Sequence, residues 1–272
     1  TASSDGIISI DGNLTLSNSL VTALGYVNEV VLADGSITVK GNISQAAGIS
    51  NLSGTNRIAA DDDGSFDGTT KTFYYEGNSI DNDSGEITYD DANSNTSYKF
   101  YYSGASAQAY HEDNMLYNDV YISNTANVYL DVSPSNTELT GQLVVVNGGT
   151  LLIDDVSYNV DGLSGSADKI ELENGGRLKI TEPAFSNGIP PAGVSTFAAL
   201  SYVEFNNTSG TPGEVFTEAN AYPIVQLTGS GEKQYKSTGT NINNSTAKVG
   251  RLEVLEGNFR VETSLNLQLN SS

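Results

Sequence analysis

A short cassette recurs along this chain: alternating apolar residues, then an acidic or amide residue with one or two glycines, then alternating apolar residues again. Clear copies run from Ile8 to Leu16, Val30 to Val39, Val144 to Ile153, Ile170 to Ile180 and Leu252 to Val261. Each reads as two half-buried strands hinged at a turn, because side chains alternate across a strand and glycine, or an Asp or Asn beside it, tolerates the bend. A single hinge of this size cannot bury its own apolar face. Repetition therefore restricts the chain to folds in which each unit is covered by its neighbours.

The spacing of the hinges gives the expected unit. Gly12, Gly35, Gly149, Gly176 and Gly257 mark the clear copies, and weaker ones at Leu52–Ile58, Phe73–Ile80, Phe100–Gly104, Ile122–Leu130, Val203–Asn207 and Val225–Gly229 fill the gaps. The mean step is about 24 residues, one coil of two or three short strands with their turns. The expectation is an all-β chain, a parallel β-helix or β-solenoid of about 11 rungs. Ile10, Leu32, Val146, Leu172 and Val254 would then line one inner ladder at the strand spacing of about 4.8 Å, in a rod roughly 50 Å long.

Composition supports this reading. There is no Cys and no Trp, only 6 Pro, and 28 Gly and 15 Tyr, a balance that favours strands and turns over helix. No helical period of useful length stands out. Residues 1–272 read as one elongated domain, with a loop insertion near 183–200 around the Pro190-Pro191 pair. A chain that opens on Thr1 rather than Met reads as a processed piece. Strand patterns close to both ends, from Ile7 and up to Leu269, make it a segment of a longer repeat protein or one that joins end to end with other copies or flanking repeats.

Charge and hydropathy remove several function classes. Asp plus Glu total 33 against 12 Lys plus Arg, a net charge of −21 that repels phosphate backbones and anionic lipid, so nucleic acid is not an expected partner. No run of about 18 apolar residues is present, and membrane insertion is not expected either.

A family resemblance rests on particular segments. Val203 to Gly210, Tyr222 to Tyr235 and Val249 to Val261, with a second pass at Phe100–Tyr110, Val120–Leu130 and Leu143–Leu151, resemble the repeats of large secreted cell-surface proteins of Bacteroidetes. The resemblance implies an exported adhesin or filament subunit of the kind delivered by type IX secretion, located at the cell surface. It implies no catalytic residues.

Two local patterns are candidate sites. Ten of the tyrosines fall between residues 74 and 129; in Phe73-Tyr74-Tyr75 and Phe100-Tyr101-Tyr102, alternation sends Tyr74 and Tyr101 to the face opposite their neighbours. An exposed pair of this kind suits the flat C–H faces of sugar rings, and polysaccharide or host-surface glycans are the expected ligands. The plainer reading is a cross-strand pair that stabilises a sheet. Asp61, Asp63 and Asp67 around Gly64, and Asp81 and Asp83 before Gly85, carry carboxylates at the alternating positions of a calcium loop, which makes Ca2+ the candidate cofactor. Neither run has the bidentate glutamate of an EF-hand, and short acidic runs are commonly just solvated turns.

An enzyme is the rival class, since parallel β-helices include polysaccharide lyases and glycoside hydrolases. The adjacent pairs Asp90-Asp91 and Asp154-Asp155 point to opposite faces of any strand they lie on, and one His with no Cys leaves little for nucleophilic triads. A phage or viral fibre segment uses similar repetitive β-structure. The reading is a non-enzymatic extracellular module, structural or adhesive, acting as a rigid spacer or filament-forming surface protein.

Overall fold

The computed structural model describes residues 7–17, 29–32, 36–46, 56–60, 70–81, 85–89, 97–111, 115, 117–131, 139, 141–154, 170–181, 196–209, 213–214, 221–235, 246–261 and 266–269. Every regular element among them is a β-strand. The chain divides into two compact units, residues 1–126 with 135–143, and residues 127–134 with 144–272.

The first unit holds β1 (Ile7–Ile10), β2 (Leu14–Ser17), β3 (Glu29–Leu32), β4 (Ser36–Val39), β5 (Ile43–Ala46), β6 (Asn56–Ala60), β7 (Thr70–Tyr75), β8 (Ile80–Asp81), β9 (Gly85–Tyr89), β10 (Ser97–Tyr102), β11 (Gln108–Tyr110) and β12 (Asp119–Ile122). Hydrogen-bonded neighbours follow the orders β1-β4-β7-β10-β12, β2-β5-β8 and β3-β6-β9. All of these pairs are parallel. Parallel neighbours need a crossover of a dozen residues or more. The partners Phe100 and Val120 lie 20 residues apart, and Ile43 and Ile80 lie 37 apart, which leaves room for that return.

Alternation sorts β4, β7, β10 and β12 into an inner and an outer row. Ile8, Ile37, Phe73, Phe100 and Val120 succeed one another in one inner row, and Ile10, Val39, Tyr75, Tyr102 and Ile122 in the next. From Ile37 and Val39 onward these side chains are 0–2 % exposed. Burial of a large apolar side chain contributes about 1.5–3 kcal/mol, so the rows supply most of what holds the strands face to face.

The corners between strands are tied from one layer to the next by backbone and amide groups. Gly41 N–H donates to the Gly12 carbonyl at 3.1 Å, and Asn42 N–H donates to Asn13 Oδ1 at 2.9 Å. Asn42 Oδ1 in turn accepts Asn78 N–H at 3.0 Å. Deeper in, buried Gln108 donates to the Tyr75 and Gly77 carbonyls and accepts from Gly104 N–H and from the Asn124 amide. Buried amides are stable only when their donors and acceptors are used, and Gln108 meets that condition by spanning three corners. Gly41 has no room for a side chain, since an added Cβ would fall 2.4–2.6 Å from Asn13 and Gly12 atoms; at Gly12 it would meet nothing within 4 Å among the described residues.

The second unit holds β13 (Val128–Leu130), β14 (Leu143–Val145), β15 (Thr150–Ile153), β16 (Ile170–Leu172), β17 (Arg177–Thr181), β18 (Thr196–Phe197), β19 (Tyr202–Asn206), β20 (Gly213–Glu214), β21 (Ala221–Thr228), β22 (Lys233–Tyr235), β23 (Thr246–Val254), β24 (Phe259–Val261) and β25 (Asn266–Leu269). Its orders are β14-β16-β18, β13-β15-β17-β19-β21-β23-β25 and β20-β22-β24, and its described pairs are parallel. Val128, Leu151, Leu178, Val203, Val225 and Leu252 form one inner row. Gly229 turns its corner at φ +75°, a region that favours glycine, and an added Cβ would lie 2.4 Å from the Asn207 carbonyl oxygen. Lys233, buried, sends its ammonium to the carbonyls of Gly229 and Glu256, while burial pulls its pKa below the ordinary lysine value against the opposing pull of the Glu256 carboxylate.

The all-β, parallel arrangement agrees with the sequence pattern, but the first inner ladder does not. Ile10 faces Val39, whereas Leu32 pairs with Ala60 in another sheet, Val146 follows the end of β14, and Val254 pairs with Leu227 in a sheet that does not hold Leu172. The layer-mate of Asp11-Gly12-Asn13 is Lys40-Gly41-Asn42, not the hinge at Gly35, whose residues 33–35 lie outside the described set. The reason is physical: a corner is selected by the groups that bond it to the next corner, and Gly-Asn before an aliphatic residue recurs at Leu14 and Ile43. Of the stretch near 183–200, residues 182–195 also lie outside the described set, and Thr196–Phe197 pairs with Glu171–Leu172.

Close approach at one glycine and open space at its layer-mate generate a paired prediction. Gly41→Ala should destabilise the protein by about 1–3 kcal/mol in urea unfolding, as an overpacked site does. Gly12→Ala should stay within about 0.5 kcal/mol of the parent. Equal effects would mean the two corners are not stacked.

Candidate functional site

The outer face of β7, β10 and β12 in the first unit carries a column of tyrosines. Register sets Tyr74 opposite Tyr101 and Tyr101 opposite Tyr121, with Thr38 next to Tyr74 on the other side. Ring centroids are 4.9 Å apart for Tyr74–Tyr101 at an interplanar angle of 30°, and 4.7 Å apart for Tyr101–Tyr121 at 16°. All three residues are half-buried. Lys99 Nζ lies 5.2 Å from the Tyr121 centroid, within reach of a cation–π attraction.

The column arises from simple local chemistry. In-register parallel strands place like positions side by side, and the aromatic rings then stack at close to the strand spacing. The same register acts on the inner face, where Phe73 and Phe100 stack at 5.0 Å and 8°. There Tyr75, Tyr102, Tyr110 and Tyr117 are buried, with ring contacts of 5.8–6.1 Å from Tyr75 to Tyr102, Tyr102 to Tyr110 and Tyr110 to Tyr117. Buried hydroxyls require partners. Tyr117 donates to the His111 carbonyl at 2.6 Å, so Tyr102 is the donor in its 2.7 Å bond to Tyr117, and Tyr102 in turn accepts His111 N–H at 3.0 Å. Burial raises the Tyr75 pKa above the usual phenol range.

Tyr74 and Tyr101 are thus brought together as alternation predicts, and Tyr121 extends them. The signal for Tyr121 was present in Val120-Tyr121-Ile122, a central tyrosine between two inward residues. What spacing could not supply was the 20-residue offset that aligns it with Tyr101. Stacking also changes what the column offers. The rings turn their faces to one another, so its flank presents ring edges rather than open π faces.

The acidic candidates are largely out of view. Asp61, Asp63, Asp67 and Asp83 lie outside the described residues, as do Asp90, Asp91 and Asp155. Asp81 is exposed at the end of β8, opposite Ser44, and Asp154 is exposed after β15. Among the described residues no group of three or more His, Asp or Glu is placed to hold a metal ion.

The second unit carries a charged ladder that composition did not single out. On the outer face of β17, β19, β21 and β23, Lys179, Glu204, Gln226 and Glu253 stand in register. Glu204 is only 7 % exposed and meets Arg177 at 2.7 Å, Lys179 at 3.3 Å and Thr228 Oγ1 at 2.7 Å. Arg177 also donates to Gln226, whose amide donates to Glu253 at 2.7 Å, and its guanidinium lies 4.8 Å from the Tyr202 centroid. These partners occupy the Glu204 carboxylate from both sides, an arrangement suited to pinning strands rather than to shuttling a proton.

The position of Tyr101 between two rings makes it the most sensitive member of the column. Tyr101→Ala should destabilise the first unit by about 1–2 kcal/mol, and Tyr74→Ala, at the column's end, by about half as much. Denaturant unfolding of the two variants checks this, and a larger effect at Tyr74 would contradict the stacking order. No protein-family model, curated protein or solved structure matches the chain.

Proposed function

We propose that this chain is a β-solenoid of about 11 coils averaging about 24 residues, serving outside the cell as a structural spacer or adhesive surface module that joins other copies or flanking repeats end to end. One observation carries the reading: within each unit, successive parallel strands set apolar on apolar, aromatic on aromatic and corner on corner. Such a construction spends its residues on stacking and leaves few side chains for chemistry. Arg177 and Lys179 pair with Glu204, and Arg251 with Glu253, which fits a scaffold better than a polysaccharide lyase or hydrolase. The repeat resemblance to secreted surface proteins supports the setting, and the net charge of −21 suits a soluble exterior.

Adhesion through the tyrosine column is the part of this reading that a ligand screen decides. A glycan array probed with the full chain should give a signal that Tyr74→Ala and Tyr101→Ala both remove if the column binds sugar. An unchanged signal in both variants places adhesion elsewhere, and a blank array leaves the spacer role alone. For location, an antibody against the chain should label intact cells. Labelling that requires permeabilisation would refute the surface assignment.

A further inference from the structure

We propose that the outer tyrosine column is a site of oxidative cross-linking, at which Tyr101 and Tyr121 couple to a dityrosine that covalently joins β10 to β12. Three observations converge on this pair. Their strands are adjacent, parallel and in register, so the two side chains leave the sheet from directly opposed positions. Their rings are the closest and most nearly parallel of the column, at 4.7 Å and 16°. Both residues are half-buried on an outer face, within reach of a diffusing oxidant, whereas Tyr75, Tyr102, Tyr110 and Tyr117 are buried, and the Tyr102 and Tyr117 hydroxyls are held in hydrogen bonds.

The chemistry needs a peroxide and a haem peroxidase as the one-electron oxidant. Each phenol loses one electron and one proton, and the peroxide is reduced to two waters. The two phenoxyl radicals then form one carbon–carbon bond between positions ortho to their oxygens. The hydrogens on those carbons move to the oxygens and both rings regain aromaticity. Face-to-face approach suits the bond-forming step, because the new bond leaves each ring out of its plane before the hydrogens shift. Tyr74 and Tyr101, at 4.9 Å and 30°, are the less favoured pair. The sequence contains no cysteine, so no disulfide is open to this chain. A bond from residue 101 to residue 121 closes a loop of the length at which a disulfide constrains the unfolded chain by restricting its conformations.

The test treats the full chain, in dilute solution, with peroxidase and limiting peroxide. Dityrosine fluorescence should appear at a rate per chain that dilution does not change. Digestion before aspartate cuts at Asp113 and Asp119 and places the two tyrosines on separate peptides. Mass spectrometry should find those peptides joined with the loss of two hydrogens. Tyr101→Phe and Tyr121→Phe, which keep a ring in the stack, should abolish that joined product, and Tyr74→Phe should keep it. The cross-linked chain should also unfold at a higher temperature than the untreated chain. The proposal is overturned if the joined product persists in Tyr121→Phe, if coupling occurs only between chains, or if no dityrosine forms while N-acetyltyrosine couples in the same reaction.

Discussion

Everything in each unit depends on one constraint: a strand and its corner are completed only by the strand and corner of the next layer. The inner rows show why. Val39 is buried because Ile10 and Tyr75 flank it, and Phe100 because Phe73 and Val120 do. The corners obey the same rule through polar atoms. Asn42 receives Asn78 and Ser79 N–H groups while its own N–H reaches Asn13, so each corner supplies the partners its neighbour lacks. The Asn42 corner is exposed, but at the buried Gln108, which joins the Tyr75, Gly77 and Gly104 backbone, an unpaired polar group would cost about as much as a lost hydrogen bond. That penalty fixes where one layer sits on another.

The same register accounts for two aromatic arrangements with different consequences. On the inner face it builds a packed cluster in which the Tyr102 and Tyr117 phenols bond to each other and to the backbone of residue 111. On the outer face it builds a half-buried column whose rings cover one another. A stack of that kind stabilises the sheet first. Whatever it recognises must meet ring edges, and its shortest reactive distances lie within the column itself.

Charge follows the same logic in the second unit. A chain with an excess of carboxylates cannot afford to bury one unpaired, and the buried Glu204 is accordingly bracketed by Arg177 and Lys179. Lys233 is treated in the complementary way: its ammonium meets backbone carbonyls from two corners, and the loss of solvent shows in its lowered pKa. Both groups tie successive layers together, so Arg177, Lys179 and Lys233 serve the stacking.

Alternation, hinge chemistry and the absence of any helical period are local properties, and the sequence by itself determined them: a strand with Leu172 inward, corners at Gly12, Gly77, Gly176 and Gly229, and Tyr74 and Tyr101 on the face opposite their neighbours. Which corner rests on which is not local. The offset from Ile8 to Ile37 is 29 residues and from Ile37 to Phe73 is 36, and an average step of about 24 could not reveal it. The tertiary structure therefore decided that Val39 rather than Leu32 meets Ile10, that Tyr121 joins the column, and that Glu204 pairs with two cations of the neighbouring strand. The physical reason is that side-chain direction is set within a strand, whereas register is set by hydrogen bonds and packing between strands that lie 20 to 37 residues apart.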